Sequence, residues 1–89
     1  MVAEVQRKAG QKKPKNIIGR RLREARLNRQ PRVTQVDLVA LLSAYGVIIN
    51  QAAISKIESG DRPVLDYELK AIGEALVVEV GWLINEEKL

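Results

Sequence analysis

The chemistry open to this chain is that of amides, guanidiniums, ammoniums and carboxylates, because it contains neither His nor Cys. Disulfides, thiolate metal sites and thiol nucleophiles are thereby excluded, and the commonest general base is missing. A hydrolase would have to work with carboxylates, Lys, Tyr or Ser alone, and no nucleophile–base pair stands out. An enzyme is not expected, nor is a metal or cofactor. The polar residues that remain suit recognition of a base-bearing polyanion. Gln51, at the start of a predicted helix, carries the donor and acceptor pair that matches N6 and N7 of adenine. Ser55 and Lys56 lie about one turn along, and Ala52 is small enough to approach a thymine methyl. Gln35 stands beside the N-cap of the preceding helix, where its amide and the helix's unpaired N–H groups suit a phosphate. Arg62 follows in a loop, placed to hold a nucleic-acid backbone. Each has a plainer alternative: Gln35 supports a capping turn, Gln51 and Lys56 are solvated, and Arg62 is an ordinary loop arginine.

Short helices must position these groups. Ile18, Leu22 and Ala25 recur at helical spacing between Arg20, Arg21, Arg23 and Glu24, which predicts an amphipathic helix from about Asn16 to Asn28. Thr34-Gln35-Val36-Asp37 is a capping-box pattern, and Leu38, Val39, Leu41 and Leu42 follow it as a buried face. Gly46 suits the left-handed residue that ends a helix. Val47-Ile48-Ile49 should be extended, since consecutive β-branched residues resist helix. Asn50 is an N-cap for a third helix with Ile54 and Ile57 inward and Gly60 closing it. Asp66 and Glu68 favour the first turn of a fourth helix that buries Leu69, Ile72 and Leu76. Val77 to Val80 looks strand-like, but with no second strand to pair with it a short helix from Val80 to Ile84, packing Trp82 and Leu83, is the preferred reading.

At 89 residues the chain is expected to form one domain, with a core of Leu, Ile, Val and Ala because only Trp82, Tyr45 and Tyr67 are aromatic. Its net charge of +4 is unevenly spread: residues 1–35 hold eleven Lys and Arg against two acids, and residues 36–89 hold four against nine. A basic first third points to nucleic acid or an anionic surface. Residues 1–16, with Arg7, Lys8, Lys12, Lys13 and Lys15 and few apolar side chains, read as a flexible basic arm, either a tail kept for solubility or a tracker of phosphates. No apolar run follows these charges, so no secretory leader is expected. The uncharged stretch from Leu38 to Ser55 reaches 18 residues, but polar interruptions favour a buried helix and turn over a membrane span.

The run Gly19-x-x-Leu22-Arg23-x-x-Arg26, then Thr34-Gln35-x-x-Leu38, then Ile54-Ser55-Lys56-Ile57-Glu58-Ser59-Gly60 resembles the Xre/Cro-type family of bacterial and phage transcriptional regulators. Asp66-Tyr67-Glu68-Leu69-x-x-Ile72 followed by Trp82-Leu83 extends the resemblance, which covers about residues 17–84. It implies an all-α, compact five-helix bundle containing a helix-turn-helix, phage-repressor-like, over residues 17–89. The third helix would enter the major groove of double-stranded DNA, usually as a homodimer, in a cytoplasmic setting. Base contacts would fall on Gln51, Ala52, Ser55 and Lys56, phosphate contacts on Gln35, Asn50, Ser59 and Arg62, and an internal ion pair on Arg26 and Glu58. Trp82, Leu83, Ile84 and Leu89 are candidates for the dimer contact. Two departures from the family pattern stand out. The long spacing from Leu38 to Ile54 predicts a second helix longer by about a turn and a wider connection, and Val77 and Glu79 replace a Gly and a Ser-type cap, so a late fifth helix is expected. The rival reading is an antitoxin-like or regulatory module whose main partner is another protein.

Overall fold

Helix ends set this architecture, and they are chemically explicit. In the computed structural model, which describes residues 13–85, the chain forms α1 (Gly19–Leu27), α2 (Gln35–Ala44), α3 (Gln51–Ser59), α4 (Asp66–Leu76) and α5 (Val80–Ile84), with no strand among the described residues. Thr34 and Asp37 close a reciprocal capping box on α2: the Asp37 N–H donates to Thr34 Oγ1 at 3.0 Å and the Thr34 N–H to Asp37 Oδ2 at 3.0 Å. These bonds hold the Asp37 carboxyl below its ordinary pKa. Asn50 caps α3 by accepting the Ala53 N–H at 2.8 Å. Gly60, at φ 84°, ends it, and the Asp61 N–H reaches back to the Lys56 carbonyl at 2.8 Å. Glu68 accepts the Leu65 N–H at the start of α4.

α4 stops differently. Val77 is left-handed at φ 58°, ψ 48°, in the place a glycine usually fills, and the Val78 N–H bonds the Gly73 carbonyl at 2.9 Å. Arg29 also donates to the Leu76 carbonyl at 3.1 Å, so a residue from the α1–α2 connection helps satisfy the end of α4.

The helices enclose one core. Leu22, Leu38, Leu42, Ile54, Ile57, Ile72, Leu76 and Leu83 are fully buried, with Ile18, Ala25, Val47, Ala71 and Ala75 around them. Each buried Leu or Ile contributes about 1.5–3 kcal/mol of transfer free energy. α1 touches α3, α4 and α5, while α2 packs on α3 and α4, and α4 also meets α5. Gly19 makes the α1–α3 crossing possible: a Cβ there would lie 2.6 Å from the Ile57 carbonyl oxygen and 2.7 Å from that of Glu58. Arg21, almost buried, sets its guanidinium 4.5 Å from the centre of the Trp82 ring.

Three expectations change. α1 begins at Gly19 and not near Asn16, because the Asn16 side chain accepts the Ile18 N–H and donates to the Ile57 and Arg62 carbonyls, at 2.9, 3.0 and 2.8 Å. The arm expected to run flexibly to Asn16 is therefore fastened at its last residues, and Lys15 adds a backbone bond to Gly60 at 2.8 Å; residues 1–12 lie outside the described residues. Leu83, offered for a dimer contact, belongs to the core, Trp82 is half-buried beneath Arg21, and Leu89 lies outside the described residues. The long spacing between Leu38 and Ile54 is taken up by a ten-residue α2 and by the stretch 45–50, which is neither helix nor strand. The uncharged stretch is split by that connection, and no helix among the described residues is long and apolar enough to cross a membrane.

Candidate nucleic-acid interface

With Ile54 and Ile57 turned into the core, the helical period leaves Gln51, Ala52, Ser55, Lys56 and Ser59 on the outer face of α3, and all are exposed. The four residues expected to contact bases are thus brought together. The face holds amide, methyl, hydroxyl and ammonium groups side by side, and the capped ends of α3 fix its length.

Behind this face lies a polar network that ties α1, α2 and α3. The Arg26 guanidinium meets the Glu58 carboxylate through two bonds, Nε to Oε2 at 2.6 Å and Nη2 to Oε1 at 2.9 Å, with both side chains 7% exposed. Its remaining Nη1 donates to the Val33 carbonyl at 2.8 Å, so the buried cation is satisfied on each side. Gln35, the first residue of α2, donates its Nε2 to Glu58 Oε1 at 3.1 Å. Its Oε1 accepts from Gln51 Nε2 at 3.3 Å. Gln51 therefore has one N–H committed, which leaves its second N–H and its carbonyl oxygen for a partner outside the protein. That remaining pair is what a bidentate contact to adenine requires.

The residues expected to hold phosphate divide. Gln35 keeps one N–H beyond its bond to Glu58 and stands at the N-terminus of α2. Asn50 is exposed, but its oxygen is used as the cap of α3, so only its amide N–H₂ is open. The Ser59 hydroxyl lies 3.1 Å from both the Lys56 carbonyl and Asp61 Oδ2, partners within its own turn. Arg62 is engaged within the protein. Its Nη1 and Nη2 clasp the Glu68 carboxylate at 3.0 and 3.1 Å, and Nη1 also bonds the Pro63 carbonyl. The bond to Glu68 raises the Arg62 pKa still further and, together with the Leu65 N–H, holds the Glu68 carboxyl below its ordinary range despite burial. Arg62 thus joins the α3–α4 loop to α4, and a phosphate at Arg62 would share its guanidinium with the Glu68 carboxylate.

Reading the sequence alone missed three contributors. Asn16, seen only as a boundary, clamps the end of α3; its Asn-x-Ile spacing is a local signal, since Asn side chains often bond the N–H two residues on. The Gln35–Gln51 contact had no signal, because nothing in the spacing pairs two amides on different helices. Glu68 was read as a favourable helix-start charge, and only the fold brings Arg62 to it.

Basic residues lie near the end of α3, together with Asp61. Lys13, Lys15 and Arg20 are exposed, and Arg20 borders a cleft of about 300 Å³ with Pro14, Asn16, Ser59 and Gly60. A larger groove, about 540 Å³, is a separate feature between Tyr45 and the α4–α5 corner at Val77, Val78 and Val80, mostly apolar with Lys70, Glu74 and Glu79 also lining it. Among the described residues no cluster of three or more carboxylates could hold a metal ion. Comparison with known proteins finds no matching family model, curated protein or solved structure.

Proposed function

We propose that this chain binds double-stranded DNA in a sequence-specific manner, as a repressor-like transcriptional regulator of the Xre/Cro type. In this reading α2 and α3 form the helix-turn-helix and α3 enters the major groove. The observation that carries it is the outer face of α3, where Gln51, Ala52, Ser55 and Lys56 stand together on a helix braced from behind. Gln51 reads adenine, Ala52 meets a neighbouring thymine methyl, and Lys56 reaches a guanine edge or the backbone. Gln35 serves twice: it holds the Gln51 amide in plane and turns its spare N–H, with the N-terminus of α2, toward a phosphate. Glu58 holds Gln35, and Arg26 neutralises Glu58, so the buried charge pair fixes the reading surface. The protein acts as a binder and not an enzyme, without metal or cofactor. Two copies would present two such helices to successive major grooves.

A protein-partner reading, antitoxin-like or regulatory, draws on the apolar groove at the α4–α5 corner, where Tyr45 is 49% and Val77 73% exposed. Selection of genomic fragments by the purified protein separates the two. Recovery of half-sites of one sequence, about a helical turn apart, supports the DNA reading. Retention of random fragments, or of none, overturns it.

A further inference from the structure

The carbonyls at the end of a helix are ordinarily left to water or to a following glycine turn. At the end of α3 two backbone carbonyls are taken by the chain that precedes α1. The Ile57 carbonyl accepts from Asn16 Nδ2 and the Gly60 carbonyl from the Lys15 N–H. The second Asn16 N–H goes to the Arg62 carbonyl, and its oxygen is held by the Ile18 N–H. One side chain thus makes three bonds, to α3, to the loop after it and to the start of α1. Pro14 continues the contact over Gly60, where an added Cβ would lie 3.4 Å from the proline Cβ. The segment carries the exposed Lys13 and Lys15, with Arg20 across a shared cleft, at the electronegative end of α3. Arg7, Lys8 and Lys12 precede it in the sequence.

We infer that residues 13–16 are a strap, with Asn16 as its positioning residue, which sets Lys13 and Lys15 against the DNA backbone on the flank beside the C-terminal end of α3. This rests on the DNA-binding reading. The strap gives the basic segment a fixed origin on the helix that reads the bases. A phosphate contact made from it is therefore in register with the half-site, where a free tail would sample both flanks. The conformational freedom lost on binding is smaller for the same reason. Asn16 touches no DNA; it acts through the placement of the two lysines.

Affinity cleavage tests this directly, because the chain has no Cys and a single engineered thiol can carry the reagent. With an iron chelate on Lys13→Cys, bound to the half-site recovered by selection, cuts should be confined to a few nucleotides on one flank. They should coincide with the flank cut from Asp61→Cys, which marks the end of α3. Adding Asn16→Ala to the Lys13→Cys protein should spread the cuts to both flanks while those from Asp61→Cys stay put. Should Asn16→Ala fail to fold, Lys13→Gln with Lys15→Gln keeps the anchor and should make the slope of log K against log salt shallower by about 1 to 2. Cuts on both flanks with Asn16 intact, an unchanged pattern in Asn16→Ala, or an unchanged salt slope in the double variant would each overturn the strap while DNA binding stood. Failure of the unmodified protein to retain any DNA would overturn the DNA-binding reading and the strap together.

Discussion

Glu58 accepts from Arg26 through both carboxylate oxygens and from Gln35 through one of them, so three helices depend on a single side chain. Removing its charge leaves the Arg26 guanidinium buried against a neutral amide. Glu58→Gln should therefore destabilise the protein by about 3–5 kcal/mol, read as a lower midpoint in urea unfolding; a midpoint like that of the parent would show the pair to be dispensable. Gln35→Ala tests a different property. It leaves the ion pair in place but frees the Gln51 amide, so stability should fall only slightly while discrimination at the Gln51 base declines. Gln51→Ala should cost about 1–3 kcal/mol at that one base position and relax preference there, measured by binding to single-substituted sites. Equal weakening on specific and random DNA would show that α3 is not the reader. The outward residues of α3 were legible because Ile54 and Ile57 fix its inner face. The fate of Arg62 was not, since loop position says nothing of the buried Glu68 that captures it.

At the scale of the elements, most helix ends were written in local chemistry: Thr34 with Asp37, Asn50, and Gly60 all sit where their side chains or φ values place them. The start of α1 was not legible, because Asn16 spends its hydrogen bonds on α3 and the loop after it, and tertiary demand overrides helix periodicity. The end of α4 breaks a local rule. A β-branched residue in the left-handed region costs about 1–2 kcal/mol, and Val77 is too exposed to recover that by burial. Val77→Gly removes the strain but adds unfolded-state freedom, so a net gain of about 0.5–1 kcal/mol is expected by thermal unfolding. Loss of stability would mean that the Val77 side chain makes contacts worth more than the strain. The helix starts also carry a pH signature. Asp37 and Glu68 both have folded pKa values below their ordinary ones. Their stabilisation is complete above the ordinary carboxylate range, near pH 4, and is lost as pH falls through the lowered folded values. Glu68→Gln should flatten the acid limb of the stability curve, and an unchanged limb would assign it to other carboxylates.

Across the whole molecule, the basic Lys15 and Arg20 lie near the end of α3 with Asp61 beside them, while Glu74 and Glu79 line the groove on the α4–α5 side together with Lys70. On the proposed reading, a dimer contact would avoid the basic surface, where like charges would meet and DNA would lie. It also cannot use Leu83, which the core consumes. Among the described residues near the end of α5, Ile84 is 42% exposed and Trp82 is half-buried. A symmetric contact through these residues would bring apolar groups of two copies together, with the acidic neighbours at its rim. So small an exposed apolar area would bury little surface between copies, and on the proposed DNA-binding reading association should therefore be weak in free solution and reinforced by two adjacent half-sites on one duplex. Sedimentation of the parent should show concentration-dependent dimers, and Ile84→Arg should raise the dimer dissociation constant by at least about tenfold, the equivalent of 1.4 kcal/mol. The same substitution should abolish cooperative filling of paired half-sites but leave affinity for one isolated half-site unchanged, since Ile84 is not on the α3 face. If paired sites are still filled cooperatively by Ile84→Arg, the two copies meet through another surface, and the apolar groove beside Tyr45 becomes the next face to substitute.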